Sequence, residues 1–414
     1  MKILLINPNR YKFPPVPPIG LEYLAACLEH GGHKTEIIDL CFSENLYEDI
    51  DNALELFNPD ITGITVRNVD TVLYHTNEFF LDELKDIVKH IKSKHGLKVI
   101  IGGTGLSTNA EGVLEYLDAD FAIVGPAENT LNELLNEIGN SGNTKKIWHG
   151  RLRNNIKCSR SPFKVDYKRY FESGGIAGFE THKGCTSSCV YCIEANSRVF
   201  FKNVHDVISE IKMFVDIGYK HFHLCDSEFN ENLEYAIDFC SAMKESGLDI
   251  KWAVYMKPSE FSRRLFRLMK ETGVYLITLT VDSYQKCTAY WSDIEKFIFT
   301  AKSCGIKVAV DFLTGFPYED ENHILECIGT LKRLQPDSVS INTFIRLYKN
   351  LQITNIILGD SKLREHLSGN IDDSTFIKPV FYNQIGTEKL EQLIGGDPLF
   401  RIEGPERSVN YIRV

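Results

Sequence analysis

The chain has 414 residues, of which 43% are hydrophobic, and a formal net charge of −10 at neutral pH. Its length predicts about two or three domains, and its acidic balance argues against broad nucleic-acid binding, which needs a basic face. No apolar run reaches the ~20 residues that a membrane-spanning helix needs. Residues 1–8 have the pattern of a buried strand rather than of a signal peptide. We therefore expect a cytoplasmic protein with no membrane span and no nucleic-acid partner.

Apolar runs alternate with amphipathic stretches over residues 1–145. This alternation predicts an α/β fold with an N-terminal doubly wound parallel sheet. The predicted strands lie at 2–7, 34–40, 61–66, 98–101 and 121–125, and the helices that follow them lie near 19–30, 47–57, 77–95, 109–117 and 127–138.

Sheets of this kind bind ligands in the crevice at the carboxyl ends of their strands. Several loops at that edge carry glycines, which let a backbone approach a bulky ligand closely. As a nucleotide-binding signal the pattern is weak, because no G-x-G-x-x-G follows the first strand. The candidate binding residues in these loops are Asn9, Arg67, Asn68, Gly102, Gly103, Thr104, Gly125 and Glu128.

Residues 140–172 are polar and irregular, which indicates a domain boundary. A second series of strand and helix patterns then begins at Phe179. Because catalytic loops follow the strands at the carboxyl end of a βα barrel, the loop after this first strand is the place to look for chemistry. We expect four segments, at 1–145, 146–175 (a linker), 176–345 (a barrel) and 346–414 (a cap over the barrel mouth).

The loop after Phe179 has the sequence G-C-T-S-S-C-V-Y-C, in which Cys185, Cys189 and Cys192 are spaced C-x3-C-x2-C. Three thiolates on one tight loop can hold three irons of a [4Fe-4S] cluster, which normally takes four thiolates. No fourth cysteine is near, so one iron would keep an open position. Two other interpretations are a structural zinc site with His182 as a ligand, although zinc prefers C-x2-C pairs, and three unrelated buried thiols.

The cysteine spacing, with the aromatic Tyr191 before the last cysteine, resembles the signature of the radical S-adenosylmethionine (SAM) superfamily. The resemblance implies that the open iron chelates the amino and carboxylate groups of SAM. It also implies that an electron from the cluster splits a C–S bond and releases the 5′-deoxyadenosyl radical. An electron donor such as flavodoxin or ferredoxin would then be a partner. The six predicted strand–helix units match the partial (βα)6 barrel of that superfamily.

The resemblance also implies a SAM site at the strand ends. Tyr191 would pack beside the adenine, and Asp226 would hold the amino group, although an aspartate here could instead cap a helix. Lys257 is a candidate for the SAM carboxylate. Asp282 stands where many relatives carry glutamate, and the turn containing Gly315 and Pro317 resembles the G-x-P-x-E turn that backs the adenine.

The N-terminal sequence resembles the cobalamin (B12)-binding domain found in one class of radical SAM proteins. The matching pieces are I-N-P-N, P-P-I-G-L-E-Y-L-A, I-I-G-G-T and I-V-G-P-A-E-N-T-L-N-E-L-L. The D-x-H-x-x-G motif, which supplies a histidine to cobalt in other cobalamin proteins, is absent, and Pro126 replaces an acidic residue of the usual G-E-G-E. The resemblance thus implies cobalamin bound without a histidine ligand. A flavodoxin-like domain that has lost its ligand is the alternative.

Three kinds of function are compatible with these patterns. One is a cobalamin-dependent radical SAM methyltransferase, another is a radical SAM enzyme that carries out rearrangement, ring closure or C–C bond formation without cobalamin, and the third is a non-enzymatic iron–sulfur protein. The substrate would be a small molecule, a lipid or a peptide. S-adenosylhomocysteine is the product that separates methyl transfer from a simple radical rearrangement.

Overall fold

The first part of the chain folds around a six-stranded parallel sheet, in a computed structural model that describes residues 1–140, 144–151, 160 and 164–402. The strand order is 2-1-3-4-5-6 in sequence numbering, so the order reverses between the first and third strands. The strands are β1 (Lys2–Asn7), β2 (Lys34–Asp39), β3 (Ile61–Thr65), β4 (Val99–Gly102), β5 (Phe121–Val124) and β6 (Ile147–His149).

Helices cover both faces of this sheet, because residues that alternate along each strand point to opposite sides. Ile3 and Leu5 of β1 pack in the core that faces α1 and α5, whereas Leu4 and Ile6 pack in the core that faces the other three helices. The predicted doubly wound sheet is therefore confirmed. The helices are α1 (Ile19–His30), α2 (Leu46–Phe57), α3 (Leu81–His95), α4 (Ala110–Leu117) and α5 (Thr130–Asn140).

Two local predictions for this part of the chain were wrong. Strand β6 joins the first sheet although it lies beyond residue 145. Helix α3 begins at Leu81 rather than at 77, because the preceding segment folds back on itself: Phe80 N donates to Val69 O (3.0 Å) and Thr71 N to Glu78 O (3.1 Å).

The second part of the chain contains a parallel sheet whose first six strands follow one another in sequence and are flanked by helices. This arrangement confirms the predicted partial barrel. Its strands and the adjoining hairpin are β7 (Ala177–Phe179), β8 (His182–Lys183), β9 (Phe200–Phe201), β10 (His221–Leu224), β11 (Lys251–Met256), β12 (Val274–Asp282), β13 (Lys307–Leu313) and β14 (Ser338–Asn342). Its helices are α6 (Tyr167–Glu172), α7 (Val204–Asp216), α8 (Leu233–Ser246), α9 (Arg263–Glu271), α10 (Thr288–Ser303) and α11 (Glu321–Leu334).

The C-terminal segment forms a small antiparallel sheet and three helices. The sheet and the first two helices share a hydrophobic core with α2, α3 and α4 of the first part, whereas the last helix packs in the core of the barrel. The last strand of the segment pairs with β14 and extends the barrel sheet to seven strands, an addition that was not predicted. The elements are β15 (Ile345–Arg346), α12 (Gln352–Gly359), α13 (Ser361–Arg364), β16 (Leu367–Gly369), β17 (Val380–Tyr382), α14 (Thr387–Ile394) and β18 (Phe400–Ile402). Residues 403–414 of the predicted cap and 152–159 of the predicted linker lie outside the described residues.

A buried ionic cluster joins the two parts of the chain. The guanidinium of Arg160 donates to Glu22 of α1 (3.0 Å) and to Glu210 of α7 (2.6 Å), and Tyr23 of α1 donates to the same Glu210 (2.7 Å). Truncating one partner of a buried pair leaves the other charge uncompensated, so such clusters resist separation. The cluster therefore fixes the first sheet against the barrel. In the part of the chain described, no helix combines the length and the apolar character required to cross a membrane.

Candidate functional site

The cysteine loop is held by its own backbone rather than by regular secondary structure. Gly184 has φ +95°, and a Cβ there would lie 2.2 Å from Arg198 O, so only glycine fits at the entry to the loop. Cys185 N donates to Ser197 Oγ (2.8 Å), and Ser197 N donates to Cys185 O (2.9 Å). The loop thus closes on itself between β8 and β9 and fixes the position of its first cysteine.

Cys185 is buried, and Cys189 and Cys192 are partly buried. Burial raises the pKa of all three thiols, that of Cys189 to about 11. The donor set fits a polynuclear iron–sulfur cluster, whose binding must deprotonate the thiols.

Asp226 contacts the backbone that leads into the cysteine loop. Its carboxylate accepts hydrogen bonds from Thr181 N (2.8 Å) and His182 N (3.3 Å), and His182 Nδ1 lies 3.1 Å from it. Both carboxylate oxygens are engaged and the side chain has no exposed surface. These contacts hold Thr181 and His182 just before the cysteine loop. The predicted contact of Asp226 with SAM stays a prediction.

Glu228, two residues after Asp226, was not among the predicted site residues. Within the described residues, its Oε2 is buried and has no hydrogen-bond partner. Burial raises the pKa of Glu228 to about 8, against the effect of Lys257, and its charge raises the pKa of Cys192. A buried carboxylate oxygen that has no hydrogen-bond partner among the described residues can accept a hydrogen bond from a cationic group. The D-S-E run after β10 contained the signal, but which acidic residue is engaged depends on tertiary contacts.

Lys257 is already paired in this structure. Its Nζ lies 3.1 Å from Glu231 and 3.4 Å from Thr186 Oγ1, and Glu231 accepts hydrogen bonds from Thr186 N (3.2 Å) and Oγ1 (2.6 Å). This triad ties the cysteine loop to the end of β11. The predicted role of Lys257 toward the SAM carboxylate stays a prediction.

Tyr191 and Asp282, which were both predicted to lie at the SAM site, are in contact. Tyr191 OH donates to Asp282 (3.3 Å), and the Tyr191 ring lies 5.4 Å from the Phe316 ring, which in turn is 5.5 Å from Tyr284. Burial raises the pKa of Asp282. These rings form an aromatic wall beside the cysteine loop, of the kind that a planar base can pack against.

The turn after β13 carries the predicted Gly315 and Pro317. Gly315 has φ +90°, and a Cβ there would lie 2.3 Å from Thr343 O, which explains the glycine. Its N–H donates to Glu319 (2.7 Å), a carboxyl whose pKa burial raises to about 7. Pro317 is buried in the same turn. The turn therefore holds Phe316 against Tyr191.

A cavity of about 440 Å³ opens at the carboxyl ends of β1 and β3. The strand order reverses between these two strands, and such switch points are where open α/β sheets bind ligands. Three predicted residues, Asn9, Arg67 and Asn68, line the cavity, and its lining residues in the described chain include no histidine. Arg67 and Asn68 are exposed, so their side chains are available to a ligand.

The other predicted residues of this edge do not line the cavity. Gly103 has φ +107°, and a Cβ there would lie 2.6 Å from Val66 O, so the glycine lets the loop after β4 back onto the loop after β3. Glu128 is bound to Lys183, next to the cysteine loop. Gly102, Thr104 and Gly125 belong to the same edge without reaching the cavity wall.

Comparisons with known proteins match the first and the second part of the chain to different family models. A family model described as a B12 binding domain matches residues 14–135, and one described as the radical SAM superfamily matches residues 179–331. Tryptophan 2-C-methyltransferase of Streptomyces laurentii is 21% identical, over 83% of this chain and 72% of that protein. An uncharacterized methyltransferase of Pyrococcus horikoshii is 26% identical, over 81% of this chain and 79% of that protein.

The fold is also found in a solved structure. The radical SAM methyltransferase TsrM of Kitasatospora setae, with cobalamin and a [4Fe-4S] cluster bound, superimposes with a TM-score of 0.85. The match covers 98% of this chain and 93% of that chain at 22% sequence identity. At that identity the likeness concerns the fold, and it extends over both sheets and the C-terminal segment.

Proposed function

Because the chain belongs to the radical SAM superfamily, in the class with an N-terminal B12 binding domain, we propose that it is a cobalamin-dependent methyltransferase acting on an unactivated carbon. One observation carries the proposal: the ligand edge of the first sheet meets the cysteine loop directly, through the contact of Glu128 with Lys183. A methyl carrier and a radical generator must lie side by side, and this contact joins their two sites.

Different residues around the cysteine loop hold the cluster and SAM. Cys185, Cys189 and Cys192 hold the cluster. Glu228, whose Oε2 has no hydrogen-bond partner among the described residues, receives the ammonium group of SAM, and the Tyr191 and Phe316 rings pack beside its adenine. When bound, the cluster supplies the electron that cleaves SAM, and the cobalamin supplies a carrier for the methyl group. Asp282 orients Tyr191 through its hydroxyl.

The cavity at β1 and β3 receives part of the cobalamin. Asn9 and Asn68 supply amide donors and acceptors for its side chains, and Arg67 supplies a positive charge. Since no described residue that lines this cavity is a histidine, a cobalamin held there would receive no imidazole from the cavity wall.

The proposed reaction also needs a substrate and an electron donor. The substrate is a small molecule, as the similar tryptophan 2-C-methyltransferase suggests by its name, and it meets the end of β14, where Phe344 stacks on Tyr74 (3.7 Å between ring centroids). A small flavodoxin or ferredoxin donates the electron. A thiolate-bound cluster fits a reducing compartment such as the cytoplasm. The segments 1–145, 146–175, 176–345 and 346–414 remain our proposed division, although β6 in the second of them pairs with the sheet of the first.

The test is product analysis with the anaerobically reconstituted protein. Given SAM and a strong reductant, the protein loaded with hydroxocobalamin should form S-adenosylhomocysteine, and the protein without it should not. Changing Cys185, Cys189 and Cys192 to alanine should abolish both iron binding and SAM cleavage, whereas Cys287→Ala, at an exposed cysteine, should not. Formation of 5′-deoxyadenosine without S-adenosylhomocysteine under all conditions would favour the cobalamin-independent radical enzyme instead.

A further inference from the structure

A cluster of two histidines and one aspartate lies on the N-terminal domain, outside the site described above. Asp51 belongs to α2, and His90 and His95 belong to α3. Both imidazole Nε2 atoms lie 2.7 Å from the same oxygen of Asp51, Oδ1. Among the described residues this is the group whose three ligand atoms all lie within 4.8 Å of one another.

The three side chains are positioned in advance of any ligand. They are 15–22% exposed, which leaves the site accessible but limits rotamer freedom. The His90 ring packs on Tyr47 (4.8 Å between centroids) and lies 6.0 Å from the His95 ring. Little conformational entropy is therefore left to lose when an ion binds.

The charges around the cluster also suit a cation. The two imidazoles meet only one oxygen of Asp51, Oδ1. The second oxygen, Oδ2, already holds a cation, the ammonium group of Lys94 (2.6 Å). The Lys94 side chain is 52% exposed, so it can move away when an ion binds.

We propose that Asp51, His90 and His95 form a binding site for a divalent transition-metal ion such as Zn²⁺, which fastens α2 to α3. Two imidazoles and one carboxylate are a donor set that zinc takes at ~2.0–2.2 Å, with water completing the tetrahedron. Each imidazole would bind the metal through Nε2 in its neutral form, with its one proton on Nδ1. The first turn of α3 supplies Glu83 and Leu84 to the wall of the 440 Å³ cavity, so the ion also stabilises that wall.

The site can be tested on the full-length protein after its cluster has been loaded, so that iron occupies the three cysteine thiols. Zinc is titrated anaerobically against a chromogenic chelator, iron is assayed before and after, and Tm is measured with and without zinc. We expect one Zn²⁺ per chain and a rise in Tm, since binding to the native state stabilises it by mass action. Both effects should be lost in His90→Gln and in His95→Gln and retained in the control His205→Gln, which removes an exposed histidine of α7.

Two further variants distinguish a loss of zinc binding from a failure to fold and test the effect of Lys94. Asp51→Asn preserves the shape of the side chain and should also lose zinc, which covers the case in which a histidine variant fails to fold. Lys94→Ala should keep zinc or bind it more tightly, because it removes a competing cation. Wild-type protein that binds no zinc, or histidine variants that bind as much as wild type, would overturn the proposal. Zinc that binds without raising Tm would overturn its role in fastening the helices.

Discussion

Lys183, two positions before the first cysteine of the loop, donates a hydrogen bond to Glu128, at the ligand edge of the first sheet. The same Nζ lies 3.7 Å from Glu180, which also pairs with Lys202 (2.7 Å). Burial alone would lower the pKa of Lys183, but Glu180 and Glu128 raise it above its usual range. Lys183 therefore stays charged. It links β8, which leads into the cysteine loop, to the first sheet, where we propose that cobalamin binds.

Replacing Lys183 with methionine should destabilise this junction. Glu128 and Glu180 would lose a shared cation while remaining largely buried, with exposed side-chain fractions of 11% and 13%. We expect the free energy of unfolding to fall by about 1–3 kcal/mol, measured as a lower Tm, and the formation of S-adenosylhomocysteine to fall. The matched control is Lys349→Met, at an exposed lysine of the C-terminal segment. An unchanged Tm for Lys183→Met would mean that the junction is held by other contacts.

Two acidic residues after β10 should give different phenotypes. Glu228→Gln should weaken SAM binding by about 10- to 100-fold, because a charge-assisted hydrogen bond is worth ~1.5–3 kcal/mol, while the iron content stays near four per chain of a [4Fe-4S] protein. Asp226→Asn should instead lower iron retention, because Asp226 holds Thr181 and His182 under the loop. Equilibrium dialysis with labelled SAM and iron analysis separate the two effects.

The control for this pair is Glu234→Gln, at an exposed position of α8. It should bind SAM and iron like the wild type. If Asp226→Asn lost SAM binding with its iron intact, and Glu228→Gln did not, the original assignment from the sequence would be the correct one.

His223 makes the stability of the barrel depend on pH. Burial lowers the pKa of His223 to about 4, from 6.5 in the unfolded chain. The unfolded chain therefore takes up a proton as the pH falls through 6.5, whereas the folded chain does so only near 4. The contribution of His223 to the free energy of unfolding is therefore constant above pH 6.5. It falls by about 3 kcal/mol between pH 6.5 and pH 4.

The measurement compares Tm against pH for the wild type and for His223→Gln, whose side chain does not titrate. Carboxylates that titrate in the same range contribute equally to both proteins, so the difference between the two curves isolates His223. That difference should shrink as the pH falls from 6.5 to 4. A difference that stays constant over this interval would show that His223 is protonated in the folded protein already.

The alternation of apolar runs was sufficient to predict both parallel sheets, because strand and helix periodicities are local properties of the sequence. The boundary of α3 was not predictable in this way, since residues 77–80 contain no glycine or proline that would mark the start of a helix but pair back onto the loop after β3. Strand β18 is only three residues long, and its pairing with β14 joins segments far apart in the chain. Short strands without alternation carry no periodic signal.

The cysteines proposed as cluster ligands could be chosen from the sequence because their spacing within one loop is itself the signal. The different surroundings of Asp226 and Glu228 could not be predicted, since both follow the same strand and only the contacts with Thr181 and His182 distinguish them. The same limit applied to Glu128, whose glycine-rich loop suggested a cofactor contact but whose partner, Lys183, lies 55 positions later. Pairings of this length follow from the packing of two domains, which a single sequence does not encode locally.

Filling the cavity at β1 and β3 should remove cobalamin and leave the rest of the protein intact. Asn68 lines this cavity and is exposed, so Asn68→Trp adds bulk to the site without entering the hydrophobic core. We expect at least about a tenfold loss in hydroxocobalamin uptake, equivalent to ~1.4 kcal/mol, with unchanged iron content and unchanged SAM binding. The control is Lys89→Trp, which places the same side chain on an exposed position of α3 away from the cavity. Because uptake is read from the absorption of the bound cofactor and SAM binding from dialysis, the two sites are scored separately. Full cobalamin uptake by Asn68→Trp would place the cofactor elsewhere on the sheet edge, toward Gly103 and Gly125.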